Sequence, residues 1–133
     1  MRTDIFSAFL ASDDTLRIYQ DETLIFSSQK DQLQPLMEYN EDYSREKQQV
    51  IICDKVMGNA AALLAVKANC REVYSPLGSE LAVKTLEKHG IEYHLTEIVP
   101  YIQRPDGKGM CPMEKLSIGK EPEQFYQLMK SRI

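Results

Sequence analysis

The sequence predicts an α/β domain built on a mixed sheet, and three observations predict it. Val50-Ile51-Ile52-Cys53 is a continuous apolar run one strand long, the pattern of a strand buried on both faces. An Ala-rich stretch, Gly58 to Ala68, and then Glu72-Val73-Tyr74 follow it, so strand and helix alternate as parallel pairing requires. Ahead of that core, two short strands flank Gln20-Asp21-Glu22, a hairpin that adds an antiparallel margin. The expected architecture is a three-layer α/β/α sandwich with a mixed sheet: hairpin, then β-α-β-α-β, then a C-terminal helix, as one domain over residues 1–133.

Each element has a local reason. A short helix is expected at 4–11, capped by Asp4, with Ile5, Phe6, Phe9 and Leu10 on one side. Leu16-Arg17-Ile18-Tyr19 and Thr23-Leu24-Ile25-Phe26 are the hairpin strands. Pro35 suits a first helical turn, with Leu33, Leu36 and Met37 as the apolar face of a helix ending near Tyr39. The polar run 40–48 carries no periodicity and predicts a surface loop. In the Gly58–Ala68 helix, Ala60, Ala61 and Ala62 permit close approach to a sheet, and Asn69 is a left-handed stop. A helix from Ser79 to Lys88 closes at His89-Gly90, and Ile91 to Leu95 alternates as a strand with one wet face. Pro122, followed by Phe125, Leu128 and Met129, opens the last helix.

Composition excludes several function classes. With 43% hydrophobic and 27% charged residues over 133 positions, this is the make-up of an ordinary globular domain. The net charge of −4 and the scattered Lys and Arg argue against nucleic-acid binding through phosphate neutralisation. No stretch approaches a membrane span, and the N-terminus has no long apolar export run. Three cysteines without paired spacing predict reduced thiols and a cytoplasmic setting. Two histidines and no C-x-x-C or H-E-x-x-H leave no zinc set, so neither metal nor cofactor is expected.

A site is expected where parallel strands end and the following helices present their N-termini. Two such ends should lie side by side: Cys53-Asp54-Lys55-Val56-Met57-Gly58-Asn59 and Tyr74-Ser75-Pro76-Leu77-Gly78-Ser79. Asp54 and Lys55 would bind polar groups, the Gly58-Asn59 helix start would receive an oxygen, and Ser75 and Ser79 would offer hydroxyls. Blander readings stand beside these: Asp54-Lys55 as a turn, Ser79 as a plain N-cap, Cys53 and Cys70 as small buried hydrophobes. Cys111 is the most distinctive residue. It precedes Pro112, which predicts a helix start with Cys111 as N-cap and Glu114 reaching back to the cap backbone. Cys111 is either a nucleophile activated by the helix dipole and by Arg104 or Lys108, or a structural cap with its sulfur packed inside.

Three segments carry a resemblance: Asp54 to Leu64, Val99-Pro100-Tyr101-Ile102, and Gly109-Met110-Cys111-Pro112-Met113-Glu114. Through them the chain, from about Leu16 onward, resembles a family of small prokaryotic proteins known only as a domain of unknown function, with the cytidine deaminase-like fold. The resemblance implies that fold but no settled activity. Zinc deaminases bind metal at two adjacent helix starts through H-x-E and P-C-x-x-C. Here the first start is Gly58-Asn59-Ala60, and in the second, Leu77 and Glu80 stand where the cysteines would be. Zinc-dependent deamination is therefore rejected.

The leading expectation is binding of a small polar metabolite, nucleoside- or sugar-phosphate-like, at Asp54, Lys55, Gly58, Asn59, Ser75, Ser79 and Glu114, with thiol chemistry at Cys111. The alternative is a non-catalytic ligand-sensing, oligomerisation or interaction module, since no histidine is placed to serve Cys111 as a base. A homo-oligomer docking through loop 100–111 belongs to that alternative.

Overall fold

In the computed structural model, residues 3–43 and 48–132 are described. The hairpin strands are β1 (Leu16–Gln20) and β2 (Thr23–Ser28), turned at Asp21, whose φ of 54° is left-handed. They are preceded by α1 (Thr3–Leu10) and followed by α2 (Gln34–Asp42). The alternating core is β3 (Val50–Asp54), α3 (Asn59–Lys67), β4 (Cys70–Ser79), α4 (Glu80–Lys88) and β5 (Glu92–Val99). Two helices close the chain, α5 (Pro112–Ser117) and α6 (Pro122–Ser131).

The five strands run β2-β1-β3-β4-β5. β1 is antiparallel to both its neighbours, whereas β3, β4 and β5 are parallel. The α/β class and mixed sheet are those expected. The helices are shared unequally between the faces. One face of the sheet, through Leu16, Ile18, Val50, Ile52 and Val73, packs against α2, α3, α4 and α6. The other, among the described residues, carries α1 alone, with Ile5, Phe6 and Phe9 against Tyr19, Ile51, Cys53 and Tyr74.

Several local expectations change. Asp4 lies inside the first turn of α1 and not at its cap. The predicted loop at 40–48 is helical as far as Asp42; residues 44–47 lie outside the described residues. Asn40 is buried there because its amide donates to the carbonyls of Leu36 and Leu64, tying α2 to α3. β4 is much longer than Glu72–Tyr74. Pro76 fits within it because Ser75 Oγ donates to the Leu77 carbonyl and accepts the Leu77 N–H, satisfying the backbone around the proline. Met57 then rejoins β4, donating its N–H to Leu77 O at 2.8 Å and accepting that of Ser79 at 3.2 Å. Gly78 is needed on this stretch, since a Cβ there would stand 2.5 Å from Leu95 Cδ1.

Candidate functional site: the Glu114 clamp at the start of α3

β3 is apolar throughout and runs into Asp54; Gly58, in extended conformation, then turns the chain into α3. Gly58 offers no side-chain cap, which leaves the first N–H groups of α3 to be satisfied from elsewhere. The partner comes from α5. Glu114 is 2% exposed, and its Oε1 accepts the Asn59 N–H at 2.6 Å. Its Oε2 accepts the Ile102 N–H at 2.7 Å. A carboxylate at a helix N-terminus is favoured by the dipole, and both bonds are charge-assisted.

The expected capping box at Cys111 is therefore corrected. The Cys111 N–H donates to Ile102 O at 2.8 Å, and Glu114 serves a different helix. The buried carboxylate needs donors, and the segment folding back from β5 supplies one N–H while α3 supplies the other. Gly58 keeps the contact tight: a Cβ there would lie 3.0 Å from Ile102 Cγ1 and 3.2 Å from Glu114 Oε1.

Asn59 extends the network. Its amide donates to Ser117 Oγ at 3.0 Å and to Ser117 O at 3.3 Å, and its Oδ1 accepts the Thr85 hydroxyl. Ser117 Oγ in turn donates to Glu114 O at 2.6 Å. The start of α3, the body of α4 and α5 are thus held by one connected set of bonds. Thr85, Ile102 and Ser117 were not among the residues anticipated from sequence, and no local spacing marks them.

The other anticipated residues divide as follows. The adjacency of β3 and β4 is as expected, with Cys53 paired to Tyr74, so Asp54 and Ser75 stand one step further along the same parallel pair. Asp54 and Lys55, however, lie on opposite faces. Asp54 follows Val50 and Ile52 toward α3, whereas the Lys55 ammonium sits 4.7 Å from the centre of the Phe9 ring of α1. Asp54 is buried, and its Oδ1 accepts the Val56 N–H in a long hydrogen bond of 3.4 Å. Burial pushes its carboxyl up from 3.8 to about 7, against the lowering effect of the Val56 and Lys55 N–H groups. Ser79 caps α4, accepting the Ala82 N–H at 3.1 Å. Cys111 is the N-cap of α5 with its sulfur making no cap bond, and it is half-buried. Cys53 and Cys70 are buried, and burial pushes both thiols up to about 12.

All three segments that carry the family resemblance meet at one carboxylate: Asn59 from the first, Ile102 from the second and Glu114 from the third. The sequence model described as TM1506: Domain of unknown function (DUF1893) matches residues 5–133. The chain belongs to the DUF1893 family. The crystal structure of a DUF1893 family protein (TM1506) from Thermotoga maritima, at 2.70 Å resolution, is similar to it with a TM-score of 0.88. That likeness covers 98% of this chain and 88% of that one, at 26% sequence identity. No curated protein matches the chain.

Among the described residues of this DUF1893 chain, no group of three His, Cys, Asp or Glu side chains could hold a metal ion. No helix among them is long and apolar enough to cross a membrane. Two clefts open elsewhere than at Asp54. One, of about 360 Å³, lies between β1–β2 and the end of α2. The larger, of about 660 Å³, lies between α2, α5 and α6.

Proposed function

We propose that this DUF1893 chain is a non-catalytic binding module on a cytidine deaminase-like fold whose metal-bearing edge is closed by its own side chains. One observation carries the reading: the Glu114 carboxylate sits on the Asn59 N–H, where a metal ligand or a substrate oxygen would otherwise be received. Asn59, Ser75 and Ser79, which were to bind a metabolite, spend their polar groups on Ser117, Thr85, Leu77 and Ala82. The strand order β2-β1-β3-β4-β5, with α3 and α4 starting beside each other, supports the fold assignment. A cytoplasmic setting belongs to the same proposal and rests on the three free thiols.

Inorganic phosphate tests it. Titrated into isotope-labelled protein, phosphate should leave the amide resonances of Asn59 and Ala60 unmoved, and should move them once Glu114→Ala vacates the helix start. A saturable shift at those amides in the unaltered protein would overturn the reading.

A second reading, a small polar metabolite bound at Asp54, is favoured by one specific feature. This carboxyl is buried, accepts the Val56 N–H only at 3.4 Å, and is pushed by burial up to about 7, as acid–base and binding groups often are. Asp54→Asn should then abolish saturable binding of a nucleoside monophosphate measured by calorimetry; binding unchanged in the variant, or absent from the unaltered protein, removes this reading.

A further inference from the structure

The larger cleft has a floor and a rim of different chemistry. Leu33 and Met37 come from the start of α2, Met113 from α5 and Met129 from α6, so three helices contribute unbranched or flexible apolar side chains that adapt to what they cover. The rim presents three carboxylates, Asp31, Glu38 and Glu41, against the one ammonium of Lys130. Two of those carboxylates are already engaged. Glu38 pairs with Lys30, and Glu41 takes the Tyr126 hydroxyl and the Lys130 ammonium at 3.3 Å. Asp31 makes no ion pair among the described residues, so the charge left unspent at the rim is negative. The volume, about 660 Å³, falls in the range of sites for small organic ligands.

We infer that this cleft binds a small organic cation: an apolar body seated on Met37, Met113 and Met129, with an ammonium directed at Asp31. The inference rests on the reading of the chain as a binding module and supplies the ligand class that reading lacks. It also gives α5 a double role, because Met113 reaches the cleft from the residue next to Glu114.

Methyl-labelled methionine provides the readout, with hexylammonium, hexanol and hexanoate as probes of matched length. Hexylammonium should shift the Met113 and Met129 methyl resonances saturably, hexanol weakly and hexanoate not at all, while fully buried Met57 stays still. Asp31→Asn, an exposed substitution, should weaken hexylammonium about threefold and leave hexanol unchanged. Equal response to the ammonium and the carboxylate, or no response to any probe, overturns the inference. So do methyl shifts that follow protein concentration alone, which would place a second copy in the cleft. The phosphate experiment at Asn59 is independent, so failure here with Asn59 inert removes the ligand and leaves the closed edge standing.

Discussion

Glu114 and Asn59 stand 55 residues apart in the chain, yet the carboxylate of one accepts the backbone N–H of the other at 2.6 Å. This bond, with its twin to Ile102, joins the loop after β5 to the start of the central helix.

Glu114→Ala should destabilise the protein by ~2–4 kcal/mol, because two charge-assisted bonds vanish and two N–H groups, the buried one of Asn59 and the part-buried one of Ile102, lose their acceptor. Glu114→Gln should recover only part of this, since its amide can accept from one N–H but must turn a donor toward the other. Urea denaturation reads both values. A loss under ~0.5 kcal/mol for the alanine variant would show that water serves the two donors as well.

Asp54 should make stability depend on pH in a defined direction. Its folded carboxyl titrates near 7 and its unfolded one near 3.8. The folded state therefore holds the extra proton between those values, and stability is full at low pH and falls as pH rises through 7. The loss approaches ~4 kcal/mol at ~1.4 kcal/mol per pH unit, an upper bound that local relaxation reduces. Asp54→Asn should flatten this part of the profile. A wild-type profile that rises from pH 5 to 8, unaltered in the variant, would show that the carboxyl is solvated.

Only one thiol should react in the native state. Cys53 and Cys70 are buried, with thiols pushed up to about 12, whereas Cys111 is half-buried. A thiol reagent should therefore count one group before denaturation and three after. Cys111→Ser should raise stability by up to ~1 kcal/mol, because a hydroxyl supplies the cap bond that the sulfur does not make. Loss of stability in that variant would instead assign the sulfur a packing role.

Gly78→Ala should cost ~1–3 kcal/mol through overpacking, its new methyl falling 2.5 Å from Leu95 Cδ1. Adding Leu95→Ala to it should relieve the clash, so the double variant should be less unstable than the sum of the two singles.

Much of the scaffold was legible because its signals are local. Asn69 does adopt φ of 63°, Ser79 does cap its helix, and Pro112 and Pro122 do open theirs. The parallel pairing of β3 with β4 followed from their alternation with α3. Asp54 is the last residue of β3 and Lys55 the first beyond it, so the strand's alternation already turns the two side chains to opposite faces. The partner of Glu114 was not legible. The spacing Cys-Pro-x-Glu predicts a local capping box, and nothing within one turn signals that a helix 55 residues earlier, begun by a side-chain-less Gly58, lacks an acceptor of its own. Asn40 is illegible for a related reason: its polarity suggests a loop, whereas its amide is buried against the carbonyls of Leu36 and, 24 residues on, Leu64.

Native-state hydrogen exchange at the Asn59 and Ile102 amides tests the central claim most directly. In the unaltered protein both amides should be protected. In Glu114→Ala both should lose that protection together, while the core amides of Ile51 and Ile52 remain slow. Equal protection at Asn59 and Ile102 with and without the carboxylate would contradict the account, because it would mean that something other than Glu114 holds the start of α3.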